Sequence, residues 1–348
     1  MENNTTVRNI IAGPVGSIYL IPVPWDWRLI IQIILALTGI LGNSLVIHIF
    51  LNNKELKKKA TNIFIASLAA ADLVTAISLT PFPLLSRVPQ NAIGNFYCRF
   101  VFSSNLMWIS IVASIYTLTI LAVERYVAVA FPSRYKQIFT IKNTWIIIGL
   151  IWLFGIVMNT FEYYGFFVVN GHCSYILPSI RFQMFLGVAI CIVEFLIPIV
   201  IMLATNCRTI HILNANSASL AGKSDDQSMA AMSLLRARRR VINMLMLVII
   251  TFIICWTPDN IAYLMFNLGL VPVKYLFGPI YKAVVLLAFA NSCLNPFIYI
   301  LTNNHFRKAL KKTFKLPKRR IAAATKDTEM GGRRMPTTAA AHAEERVF

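Results

Sequence analysis

The chain has 348 residues, of which 57% are hydrophobic and 14% charged, against about 25% charged in an average soluble domain. A soluble protein of this balance has too little polar surface to cover its apolar residues, and six cysteines are too sparse for a disulfide scaffold. The formal charge of +19 is divided into clusters by long apolar runs, so no single surface collects it and no nucleic-acid partner is expected.

Residues 1–28 form an extracellular N-terminus in this reading. They lack a basic region followed by a compact apolar stretch and a cleavage site, so no cleavable signal peptide is expected. Asn3-Asn4-Thr5 and Asn4-Thr5-Thr6 are overlapping glycosylation sequons, with Asn3 and Asn4 as acceptors. Seven apolar runs follow, at about 29–51, 63–85, 100–130, 144–167, 182–212, 241–268 and 275–301. Each exceeds the roughly 20 residues that cross a hydrocarbon core as a helix, and lipid requires every backbone group to be paired internally. The fold class expected is therefore all-α: a seven-transmembrane helix bundle over residues 29–302. Pro81, Pro198, Pro258 and Pro296 fall inside the runs and are read as kinks whose freed carbonyls the bundle satisfies.

Lysine and arginine set the orientation. With the N-terminus outside, the outer side holds seven of the 33 basic residues, leaving 26 for the cytoplasm. Lys54, Lys57, Lys58 and Lys59 fill the first inner loop, and Arg236, Arg238, Arg239 and Arg240 precede the sixth span. The expected location is the plasma membrane, multi-pass, with a cytoplasmic C-terminus. Residues 214–235 form the longest linker. Residues 303–315 place Phe306, Leu310 and Phe314 at i, i+4 and i+8 among basic residues, an eighth, amphipathic helix lying on the inner leaflet. Residues 316–348 form a cytoplasmic tail of low apolar periodicity, read as disordered.

Ionisable groups inside the bilayer are costly and mark functional sites. Here they are His48, Asp72, Glu124 with Arg125, Glu162, Glu194 and Asp259. Around them lie Gly42-Asn43, Leu68-Ala69-Ala70-Ala71-Asp72, Glu124-Arg125-Tyr126, Trp152, Phe195-x-x-Pro198, Phe252-x-x-Cys255-Trp256-Thr257-Pro258 and Asn295-Pro296-Phe297-Ile298-Tyr299, one in each successive span. Together, over residues 29–315, they resemble the class A, rhodopsin-like G-protein-coupled receptors. Ser114-Ile115-Tyr116-Thr117-Leu118-Thr119 and Arg125-Tyr126-Val127-Ala128-Val129 are most similar to peptide receptors of the somatostatin and galanin type.

The resemblance implies roles. Glu124, Arg125 and Tyr126 serve G-protein coupling. Ile115, Pro198, Phe252 and Trp256, with Asn295, Pro296 and Tyr299, form the activation switch. Asp72, Ser114, Asn291 and Asn295 share a polar cavity that can hold a sodium ion, the sole cofactor expected. Arrestin, receptor kinases and membrane lipids join the G protein as expected partners. Cys98 and Cys173 are the two cysteines at or beyond the outer rim, facing an oxidising compartment, so a disulfide is expected. Four features depart from the family pattern. Cys98 and Arg125 are 27 residues apart, two more than usual, so the third span starts with a bulge or the cysteine sits in the loop. Asn206 replaces a common tyrosine, Ser133 replaces a bulky apolar residue, and the fourth span lacks its outer proline.

The ligand is read from the outer half. The position of the monoamine-binding aspartate falls at Met107 counted from Arg125, or at Asn105 counted from Cys98, and neither is acidic. The position of the retinal-binding lysine is Phe289. Glu162, Glu194 and Asp259 all lie in the outer half, Glu194 roughly 15 Å below the end of its span at 1.5 Å per residue. Facing inward, they would make an acidic pocket, with Tyr263 one turn above Asp259 to stack on a guanidinium, Trp256 beneath it and Met107 on its wall. A neuropeptide with a basic group is the expected ligand, with a small amine or other small molecule as the alternative. The chain is expected to catalyse no covalent chemistry. A transporter, from a different class, would show paired repeats with broken helices, and no internal repeat is present.

Overall fold

The computed structural model describes residues 20–21, 23, 25–175, 179–220, 226–272, 274–275, 278–302, 307–308, 310 and 312. Among them, seven helices are long and apolar enough to cross a membrane. They are α1 (Trp27–Asn52), α2 (Ala60–Ser78), α3 (Ala92–Ala130), α4 (Ile141–Met158), α5 (Ile180–Ser219), α6 (Asp226–Asn267) and α7 (Pro279–Thr302). The α3 helix packs against α2, α4 and α5, and the ring closes through α6 and α7 back onto α1. Phe64, Leu68, Leu121, Met202, Leu245 and Tyr299 fill its centre. Leu41, Leu150, Val200, Ile254 and Leu301 point outward, as lipid rather than water would require.

Local chemistry explains where the helices start and how closely they approach. Asp26 caps α1, accepting from the amides of Arg28 and Leu29 at 3.0 Å each, and its hydrogen bond with the Arg28 guanidinium holds its carboxyl below the usual range. Thr140 caps α4 by accepting from the Asn143 amide at 3.2 Å. A Cβ on Gly39 would lie 2.7 Å from that of Ala76, so only glycine lets α1 sit this close to α2. Pro296 has no N–H for the carbonyl of Ser292, one turn earlier. Asn43 donates to that carbonyl instead, at 3.1 Å, and Gly42 leaves room for the proline ring.

Several boundaries differ from those expected. The second span ends at Ser78, and Leu84–Leu85 is a strand, β2, paired antiparallel with β1 (Leu20–Ile21). Pro81 therefore kinks nothing; it lies beyond the helix, since the residue before a proline resists the α conformation. The fourth span stops at Met158, and after a short helix Thr160–Gly165 the chain enters a hairpin of β3 (Phe166–Val169) and β4 (His172–Tyr175). Its two-residue turn, Asn170-Gly171, has φ of 52° and 78°, the geometry that matches the twist of paired strands. Among the described residues the fold is thus helical with two small sheets at one end. Much of 214–235 is helix rather than linker: α5 continues past its apolar run and α6 begins at Asp226, in a stretch rich in alanine, leucine and arginine, all strong helix formers. Leu213, Leu235 and Ile242 pack the extension together. The sequons at Asn3 and Asn4, the eighth helix apart from four of its residues, and the tail lie outside the described residues.

Candidate functional site

Two ends of the bundle differ in chemistry. One carries the Cys98–Cys173 disulfide, with Cα atoms 5.4 Å apart; the other carries Arg125. At the disulfide end, β4 holds Cys173 opposite Val168. The Arg99 Nε donates to the Phe166 carbonyl at 3.1 Å, and Asn95 accepts from the Val168 amide at 3.0 Å. The hairpin is thereby fixed to the start of α3.

The two extra residues between Cys98 and Arg125 take the form of a bulge. Tyr97–Phe102 is a wide π-type turn containing Cys98, and Ser104 then adopts a left-handed conformation with φ 55°. Below that break Asn105–Ala130 is regular helix.

Beneath the hairpin lies a cavity between α3, α5, α6, α7 and the segment that follows α4. Asp259, Asn260 and Tyr263 line it from α6, Glu194 and Ile190 from α5, and Trp108 and Ile111 from α3. Phe161 and Tyr281 close the sides, and Trp256 with Ile115 forms the floor. The expected group of Asp259, Glu194, Tyr263 and Trp256 is thus brought together. Met107 is buried in the main core and is not among the lining residues; its neighbour Trp108 is. The Glu162 side chain lies outside the described residues. Neither Asp259 nor Glu194 has a basic partner among the described residues. Next to Glu194, the Val193 carbonyl sits in a second π-type turn, Cys191–Leu196, and accepts from the Tyr116 hydroxyl at 2.8 Å.

From the floor an aromatic series descends. The Trp256 and Phe252 rings are 6.5 Å apart, and Phe252 and Phe195 6.3 Å. Ile115 belongs to the same buried cluster as these rings, and Pro198 is buried. The Trp256 Nε1 is buried without a hydrogen-bond partner. Further down, Asp72 is fully buried, accepting from Ser114 Oγ and Asn295 Nδ2 at 2.8 Å each. The Oδ1 atoms of Asn291 and Asn295 and the Tyr299 hydroxyl are buried and unpartnered. Asp72 and the three residues expected around it, Ser114, Asn291 and Asn295, are all buried, and the free acceptors of the two asparagines suit a hard cation with oxygen ligands.

At the arginine end, Glu124 is fully buried. It takes hydrogen bonds from the Arg125 guanidinium, from Thr61 Oγ1 at 2.9 Å and from the Tyr135 hydroxyl at 2.8 Å. Arg125 also reaches Thr61. Tyr126 stands apart, its ring edge-on to Phe131 at 5.9 Å. Burial pushes the Tyr135 hydroxyl up to about 12, and the Glu124 carboxylate adds to the shift. Sequence reasoning missed Thr61 and Tyr135, as well as the cavity walls Trp108, Phe161 and Tyr281. Thr61 carries no local signal, because its partner is 63 residues away. Tyr135 was legible in part: Pro132 at the first position of the helix Pro132–Ile138 is a helix-start signal.

Comparison with known proteins agrees with this geometry. A family model described as 7 transmembrane receptor (rhodopsin family) matches residues 42–299. The chain is 29% identical to galanin receptor 2a of Danio rerio over 283 residues, covering 80% of this chain and 75% of that one. It is 28% identical to galanin receptor type 1 of Homo sapiens over 325 residues, covering 90% and 89%, and 31% identical to melatonin receptor type 1C of Gallus gallus over 290 residues, covering 81% and 80%. With an acid-lined cavity at one end, a buried carboxylate node in the middle and an Arg125 cluster at the other, all within the matched region, the chain belongs to the rhodopsin family of seven-transmembrane, G-protein-coupled receptors.

Proposed function

We propose that the protein is a plasma-membrane receptor for a peptide bearing a basic group, with its N-terminus and hairpin outside and Arg125 in contact with the cytoplasm. The observation that carries this reading is the pair of carboxylates, Asp259 and Glu194, that line one cavity with no basic partner among the described residues. A buried carboxylate without a partner is costly, and a guanidinium or ammonium from the ligand would relieve that cost. The ligand would press on Trp256 at the floor, and Phe252 and Phe195 would transmit the shift toward the inner half of α5 and α6. Release of Arg125 from Glu124, Thr61 and Tyr135 would then open a surface for a heterotrimeric G protein, on which the receptor would accelerate nucleotide exchange.

The galanin receptors among the relatives support a peptide. The melatonin receptor among them favours a second reading, a small-molecule ligand in the same cavity. A sodium ion held by Asp72, Ser114, Asn291 and Asn295 would stabilise the resting state by supplying the positive charge that the buried carboxylate lacks. Arrestin, receptor kinases and lipids belong to the same proposal.

Arg125→Ala tests the coupling. In a surface-expressed variant it should abolish agonist-driven nucleotide exchange and leave ligand binding largely intact, since Arg125 lies at the far end from the cavity. Full signalling by that variant would overturn the assignment.

A further inference from the structure

A second cavity lies at the disulfide end and shares Tyr281 with the acidic one. The start of α1, the end of α2 and the start of α7 enclose about 410 Å³ there, room for a whole amino-acid residue. Leu29, Leu79, Val285 and Phe289 make an apolar wall, and Asp26, Arg28, Gln32 and Lys282 supply polar groups.

Three of those polar groups are already engaged. Asp26 and Arg28 are paired with each other, and Gln32 donates to the Leu79 carbonyl at 2.7 Å. Lys282 is half-buried and has no carboxylate partner among the described residues. With one negative and two positive side chains, the lining has a net charge of +1, and Lys282 carries it. A half-buried ammonium has lost part of its water, and a carboxylate would replace it. The two cavities that meet at Tyr281 therefore have opposite demands. Asp259 and Glu194 call for a cation, and Lys282 calls for an anion.

A small ion would satisfy Lys282 and leave the apolar wall uncovered. A glutamate or aspartate within a chain spends its side chain on the carboxylate and brings nothing to the wall. The end of a peptide satisfies both, because its last Cα carries a carboxylate and an apolar side chain together. A fatty acid would also fill this cavity, but only a peptide carries a cation across Tyr281 into the other.

We infer that the peptide's C-terminal carboxylate pairs with Lys282 and its last, apolar side chain packs on Leu29, Leu79, Val285 and Phe289, while its basic group lies beyond Tyr281 at Asp259 and Glu194. Lys282 is then a specificity residue that selects a free C-terminus over an amidated one. The inference rests on the reading above that a basic peptide occupies the acidic cavity.

The test is a ligand-observed NMR titration of the purified protein in phosphatidylcholine nanodiscs. The probes are N-acetyl-Arg-Leu with a free carboxylate, its C-terminal amide, and N-acetyl-Arg-Glu amide, which moves the carboxylate to a side chain. Wild type should bind the first about fivefold more tightly than either of the others, the contribution of one part-exposed ion pair. Lys282→Gln should reduce the free carboxylate to the level of the amide and leave the amide unchanged, which also shows that the variant is folded. Lys282→Arg should keep the preference. Lys274→Gln, exposed and not part of the lining, should bind all three as wild type. The inference fails if wild type does not bind the free carboxylate or binds it no better than the amide, if the Glu probe matches it, or if Lys282→Gln keeps the preference. It fails equally if oleate binds more tightly than the dipeptide and is weakened by Lys282→Gln, which would make this a lipid site. Asp259→Asn separates the two readings, since it should weaken all three probes alike. If it weakens none and the carboxylate preference persists, the acidic-cavity reading falls and the Lys282 pairing stands; if it weakens all and no preference is seen, the reverse holds.

Discussion

Replacing Tyr135 with phenylalanine isolates one bond of the Glu124 cluster. The ring stays, stacked on Phe139 at 5.6 Å, and only the hydroxyl donated to Glu124 Oε1 is lost. A hydrogen bond to a charged acceptor contributes about 1.5–3 kcal/mol. Tyr135 is only part-buried, so the lower figure applies, and about 1.5 kcal/mol is roughly a tenfold change in equilibrium. If the bond holds Arg125 in the resting arrangement, the minor open population should rise roughly tenfold, and agonist-free nucleotide exchange with it. The assay is GTPγS uptake by purified G protein and receptor without ligand. Wild-type basal exchange in Tyr135→Phe, with Glu124→Gln also silent, would refute the lock. The hydroxyl should stay protonated across the working range. Its pKa is raised to about 12 in the fold, so its contribution is complete below the ordinary tyrosine value near 10 and is lost only as pH rises through 12.

Other outcomes follow from the same geometry. Asp259→Asn should lower the potency of a basic agonist about a hundredfold, since breaking one side of a buried ion pair costs about 3–5 kcal/mol, while Glu194→Gln should cost less; equal losses toward an agonist analogue with its Arg or Lys neutralised would sink the acidic-pocket reading. Peptide mapping without reduction should recover Cys98 linked to Cys173, and Cys173→Ser should lower stability by about 4 kcal/mol on loop-closure grounds, read as a fall in the thermal midpoint. Gly155→Ala would place a methyl 2.9 Å from the Ile109 carbonyl oxygen, so α4 should be displaced from α3 at a cost of about 1–3 kcal/mol; an unchanged midpoint would show that the contact yields freely.

Much of this was legible because lipid leaves few choices. Apolar length alone gives seven helices, and an ionisable residue deep inside one is costly unless it faces the interior, which is why Asp259, Glu194, Asp72 and Glu124 could be singled out before any contact was known; His48, singled out on the same ground, lies near the end of α1 and is exposed. The ends of the helices were less legible. Leu84–Leu85 and Phe166–Phe167 are as apolar as their neighbours, so hydropathy extends the spans through them, although Pro81 and Asn170-Gly171 carried the stop signals. The partners of Glu124 were hidden for another reason: Thr61 approaches through tertiary packing, and no local pattern encodes it. Met107 was placed on the cavity wall by counting, and one residue of helical rotation puts Trp108 there instead.

The wide turn at Tyr97–Phe102 and the left-handed Ser104 act as a phase corrector. Two residues added to an unbroken α-helix would rotate everything beyond them by about 200°, turning either the disulfide away from the hairpin or Ile111 and Ile115 away from the cavity. Here the surplus is absorbed above Asn105, so Cys98 keeps its bond and the lower helix keeps its face. The rim of this receptor can therefore gain or lose residues without turning the machinery beneath it. The shape of the entrance and the reading of its occupant can change separately.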